Sequence, residues 1–145
     1  MKEIFNMKTI ILSFKFDNED KQTFQIDNLE FEPDEVILKQ FIFSNLTDYT
    51  DPSDDRYIYA LRTDMIDASN FFHSFYINPL NAPSNVGDPI FSGYPIPLQI
   101  PFLLKQPIRG RLFNMEVKNY DASDIVIASG LEIIVSLTFT FIKYK

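Results

Sequence analysis

The 145-residue chain contains no cysteine, no tryptophan, a single histidine and four glycines. Without cysteine there is no disulfide, no thiolate nucleophile and no thiolate-ligated metal, so folding in a reducing compartment is permitted. His73 would have to serve alone in any Ser-His-Asp or imidazole–metal site. It is flanked by Phe71, Phe72, Ser74 and Phe75, and no nucleophile-elbow glycine pattern accompanies it. Its expected place is within an aromatic strand or at its edge. Basic clusters are missing as well: thirteen Lys and Arg face twenty Asp and Glu, for a net charge of −7. Such a surface repels phosphate backbones, and nucleic-acid binding is not expected. Residues Met1 to Lys8 show neither a continuous apolar stretch nor a small-residue cleavage site, so no secretory signal is read there.

What the chain does have is alternation. From Leu131 to Phe141 every second residue is large and apolar: Leu131, Ile133, Val135, Leu137, Phe139 and Phe141. A helical period does not fit this run, and it exceeds a typical strand of about 5–6 residues. The same pattern places Ile10, Leu12, Phe14 and Phe16 on one face. Phe24, Ile26, Leu29 and Phe31 resume it after a polar turn, with a bulge or bend expected at Asp27-Asn28. Val36 to Phe43 reads as a central strand apolar on both faces. Further strands are expected from Tyr57 to Leu61, Phe71 to Ile77 and Arg111 to Lys118. Asp64 is a candidate cap for a short helix through Met65, Ile66 and Ala68.

One domain of about eight strands follows, built as an all-β, two-sheet antiparallel β-sandwich with Greek-key connections. The expected form is a single jelly roll over residues 1–145, with residues 1–9 a candidate N-terminal arm; an immunoglobulin-like sandwich is the alternative. A jelly roll makes the first and last strands neighbours, so Ile10–Phe16 should pair antiparallel with part of Leu131–Ile142. Fifteen phenylalanines and seven tyrosines supply the core.

Few residues point to chemistry. Asp48, Asp51, Asp54 and Asp55 offer carboxylates to a hard cation, but the spacing is not that of an EF-hand and the central glycine is absent. A solvated loop is the plainer reading, and no metal, cofactor or catalytic residue is assigned. Tyr57, Tyr59, Tyr76, Tyr94 and Tyr120 could form an aromatic platform for carbohydrate. Asn45-Leu46-Thr47 fits the glycosylation pattern, which matters only in a secreted protein.

Pro89 to Leu104 (PIFSGYPIPLQIPFLL) is uncharged and carries four prolines. It is too short and too proline-interrupted to span a bilayer. Proline at near-alternate positions favours extended chain that cannot pair as a central strand. Ile96, Leu98, Ile100 and Phe102 therefore have two readings. They cover the open end of the sandwich, or they form a hydrophobic contact for a neighbouring subunit or partner.

Three further stretches, together with the terminal strand, carry a resemblance. They are Phe31-Glu32-Pro33-Asp34-Glu35-Val36-Ile37-Leu38-Lys39-Gln40, Tyr57-Ile58-Tyr59-Ala60-Leu61-Arg62-Thr63-Asp64-Met65-Ile66 and Pro107-Ile108-Arg109-Gly110-Arg111-Leu112. In order and spacing the chain resembles the single jelly-roll capsid proteins of double-stranded DNA viruses such as virophages. The resemblance implies a non-enzymatic virion structural role as a penton-type, minor capsid or cement protein. It implies a homo-oligomer that contacts other capsid proteins, located in the virion and assembled in the host cell interior. It brings no active-site residues. The alternative function is a carbohydrate- or receptor-binding β-sandwich module.

Overall fold

A computed structural model describes residues 2–17, 21–45, 58–67, 72–76, 90–119 and 132–145. The period-two segments become eight strands: β1 (Ile4–Asp17), β2 (Lys21–Gln25), β3 (Glu35–Asn45), β4 (Ile58–Thr63), β5 (His73–Tyr76), β6 (Ile90–Leu103), β7 (Leu112–Asn119) and β8 (Glu132–Tyr144). No helix occurs among the described residues.

The strands form two four-stranded antiparallel sheets. A long sheet has the order β1-β8-β3-β6 and a short sheet the order β2-β7-β4-β5. The first strand pairs with the last, the second with the seventh, the third with the sixth and the fourth with the fifth. Links β3–β8 and β4–β7 then join these pairs into sheets. The expected neighbourhood of the first and last strands is present in full, with Ile10 opposite Phe139 and Phe16 opposite Ile133.

Period-two alternation means that one set of side chains from each sheet must meet the other sheet. Val135, Leu137, Phe139 and Phe141 of β8 are fully buried. They share one core with Phe14 and Phe16 of β1, Val36, Leu38 and Phe41 of β3, Leu61 of β4, and Phe113, Met115 and Val117 of β7. Aromatic contacts cross between the layers. The Phe14 ring meets Phe24 of β2 edge-on, with centroids 5.3 Å apart.

Several expectations change in detail. Asp64 caps no helix: residues 64 and 65 form a turn, and Ile66 makes an isolated bridge with Leu104. Met65 and Ile66, adjacent in sequence, are both buried, which favours a turned, extended connection over a one-sided helix. Ala68 lies outside the described residues. At Asp27-Asn28 there is a bend and no bulge, because β2 ends at Gln25 and Asn28 adopts φ 61°. Ile26 and Leu29 still reach the core from that connection. Within the candidate arm of residues 1–9, residues 4–9 belong to β1, with Ile4 opposite Tyr144 and Thr9 opposite Thr140. The proline-rich segment is β6, an edge strand as its prolines require. Its ladder with β3 is irregular between Leu38 and Gln40 and again between Phe41 and Phe43.

Candidate functional site

The outer face of the long sheet is the surface with the most unusual chemistry. Register arranges it in rows across β1, β8, β3 and β6. Met7, Ile142, Glu35 and Leu103 form the first row, and Thr9, Thr140, Ile37 and Pro101 the second. Ile11, Thr138 and Gln40 form the third, then Ser13, Ser136 and Ile42 the fourth. Glu35 is the one charged residue in these four rows, while Lys39, bonded to Gln99, and the exposed Lys15 stand beside them on the same face.

This face is tightly set at its centre and apolar at its margins. Ile37, Thr140 and Ile142 are buried, yet none belongs to the core cluster between the sheets. Neighbours on the same outer face must therefore shield them. Met7, Ile11 and Leu103 are more than half exposed at the two margins, and Ile4 and Phe5 extend the apolar edge of β1.

Polar groups on the face are largely satisfied from within it. The hydroxyls of Thr9 and Thr140 lie 2.9 Å apart, as do those of Ser13 and Ser136. The Tyr144 hydroxyl donates to the Glu35 carboxylate at 3.1 Å. Covering such a face leaves few unpaired donors or acceptors, which removes the main cost of drying a polar surface.

Three of the residues singled out in β6 lie on the other side of that strand. Leu98, Ile100 and Phe102 are half-buried and pack against the core. The Phe102 ring meets Phe72 edge-on at 6.0 Å. Ile96 pairs through its backbone with Phe41, and its side chain lies outside the described set. Gln99, Pro101 and Leu103, of the opposite parity, are the exposed ones.

His73 sits in β5, an edge strand, opposite Leu61. Tyr59, Tyr76 and Tyr94 lie in β4, β5 and β6, while Tyr57 and Tyr120 are outside the described residues. Asp48, Asp51, Asp54 and Asp55 are also outside them. Asn45 ends β3, and Leu46 and Thr47 fall beyond the description. Among the described residues no three His, Asp or Glu side chains are grouped to hold a metal.

Charged clusters on the described surface tie strands together. Glu116 of β7 binds Arg62 of β4, with Nη2 to Oε2 at 2.5 Å, and Lys21 of β2 at 3.1 Å. Burial alone would raise the Glu116 pKa, but the bonds from Arg62 and Lys21 outweigh it and leave the carboxyl below its ordinary value. Asp34 accepts the Tyr144 backbone N–H at 2.9 Å and Lys143 Nζ at 3.0 Å. Those bonds lower its pKa in the same order. A hollow of about 230 Å³ lies beside β1, lined by Asn6, Met7, Lys8, Glu30 and Phe31. It falls short of the usual ~300–1,000 Å³ of small-molecule sites.

No helix among the described residues is long and apolar enough to cross a membrane. No protein-family model and no curated protein matches the chain.

Proposed function

We propose that this chain is a non-enzymatic structural protein of a virion: a single jelly-roll subunit of minor-capsid or penton type. It works by self-association and by contact with neighbouring capsid proteins, in a shell assembled in the host cell interior. The pairing order is the observation that carries this reading. First with last, second with seventh, third with sixth and fourth with fifth is the order of a chain doubled into one long antiparallel hairpin. Rolling that hairpin into two layers gives β1-β8-β3-β6 against β2-β7-β4-β5, the pattern of two Greek keys in a jelly roll. The fold supports the capsid resemblance noted in the sequence, although fold by itself does not assign function. The apolar outer margin of β1, where Ile4, Phe5, Met7 and Ile11 are exposed, adds support, because contiguous apolar patches on a protein mark contact sites.

Negative-stain electron microscopy of the concentrated full-length protein tests the proposal. Rings or closed shells of uniform diameter are the expected result. Single particles of monomer size across a wide range of salt and protein concentration would overturn it.

A further inference from the structure

We infer that the open border of β1 is a two-fold pairing site, where β1 of a second copy of this chain adds antiparallel and joins the two long sheets into one. This deepens the self-association part of the proposed function and rests on that part alone; it does not need the viral reading.

β1 has a strand neighbour, β8, on one side only. In an antiparallel pair, alternate residues turn their backbone N–H and C=O away from the neighbour. Two side chains show which set faces out. Asn6 Oδ1 accepts the Met7 N–H at 3.0 Å, and Gln22 Nε2 of β2 donates to the Lys15 carbonyl. The odd-numbered residues from Met7 to Lys15 are therefore the outward set, and its two ends are capped locally. Between those caps lie Thr9, Ile11 and Ser13, all exposed. Among the described residues no hydrogen bond reaches their outward backbone groups. Such a bare border takes an extended strand.

The uncapped stretch is symmetrical about Ile11, which points to a second copy as the occupant. A two-fold axis there sets Ile11 opposite Ile11 and Thr9 opposite Ser13, so every outward group of the stretch meets its complement. The same register sets Ile10 opposite Leu12, both half-buried against the core, and joins apolar with apolar and hydroxyl with hydroxyl. Charge agrees. The chain carries −7 overall, yet between Ile4 and Phe16 its only charges are Lys8 and Lys15, so two copies repel least through their carboxylates here. Lys8 falls opposite Phe14 and Lys15 opposite Met7, and no like charges face each other. Met7 lines the hollow with Glu30, so Lys15 of one copy approaches a carboxylate of the other. Edge pairing of this length is small, below about 1,200 Å² in total, and a reversible association is expected.

Sedimentation velocity and amide exchange by NMR on the full chain, each across a concentration series, test the inference. Wild type should show a reversible dimer. As it forms, the amides of Thr9, Ile11 and Ser13 should gain protection, while those of Ile10 and Leu12, turned toward β8, should not change. Ile11→Lys, at an exposed position, sets two ammonium groups opposite each other at the axis and should weaken the dimer roughly tenfold or more. Leu112→Lys, equally exposed but on β7 of the short sheet, should leave the dimer unchanged. Circular dichroism and melting curves confirm that each variant folds.

An oligomer that ignores Ile11→Lys, or that forms without slowing exchange at those three amides, would overturn the edge pairing while leaving self-association intact. Protection of the three amides that does not vary with concentration would place a segment of the same chain on the border and would overturn the pairing as well. A strict monomer at every concentration would overturn both.

Discussion

Phe72 lies against Phe139 across the sandwich, with ring centroids 6.3 Å apart and planes tilted by 47°. Phe72 immediately precedes β5 and is held to β4 by its backbone N–H, which donates to the Leu61 carbonyl at 3.0 Å. Its ring also meets Phe102 of β6. One side chain from the short sheet thus packs on two strands of the long one. Phe139 is fully buried, so Phe139→Ala should cost about 3–5 kcal/mol, the range for emptying a buried phenyl site. Urea denaturation should show the midpoint falling sharply with little change in slope.

Glu116 gives the fold an acid-sensitive tie between β2, β7 and β4. Its carboxyl pKa in the folded state is below the ordinary value of 4.5. A group with a depressed folded pKa binds more protons when unfolded. Its contribution is therefore complete above 4.5 and is lost as pH falls through the lowered folded value. Glu116→Gln should lower the melting temperature at neutral pH and flatten its decline below pH 4.5. An acid limb identical to wild type would show that the pair contributes nothing.

Gly110 has φ 72°, and a Cβ there would meet nothing within 4 Å. The cost of Gly110→Ala is therefore backbone strain alone, about 1–2 kcal/mol. Arg111 N–H donating to the Ile108 carbonyl at 3.3 Å closes the same turn. Asn28, at φ 61°, should accept glycine with little change. Differential scanning calorimetry on the two variants should separate them by several degrees.

Asp64 clamps β7. Its Oδ1 accepts the Asn114 backbone N–H at 2.8 Å and its Oδ2 accepts Asn114 Nδ2 at 3.2 Å. Asp64→Ala leaves both donors without their partner and should cost about 1–3 kcal/mol. In hydrogen exchange the Asn114 amide should lose protection before its β7 neighbours. Equal protection in both proteins would assign the clamp no weight.

The sequence-level reading of Asp64 failed for a reason visible in that contact. An aspartate ahead of apolar residues has the local look of a helix cap, but its acceptor oxygens are taken by Asn114, fifty positions away. No window of sequence reveals that partner. The two-layer antiparallel sandwich, by contrast, was legible, because β8 and β1 state their alternation over long runs and those odd and even sets do reach the core.

Parity alone left the proline-rich strand ambiguous. It shows that Leu98, Ile100 and Phe102 share a side, and not whether that side meets the core or water. Ile11 and Thr138 are the intervening residues of the two alternating strands, and Gln40 lies in β3. They are unremarkable in sequence and become one surface only through the register of β1, β8 and β3.

The prolines of β6 limit how the long sheet can grow. An edge strand accommodates proline by turning the ring nitrogen toward the open margin, where no hydrogen is then offered. β6 carries Pro95, Pro97 and Pro101, so that border is poor at templating another chain, whereas the β1 border lacks any such stop. Endless edge-to-edge elongation needs two receptive borders on every molecule. With one of them blunted, backbone pairing between copies ends after a single addition, and concentrated protein is steered away from fibres.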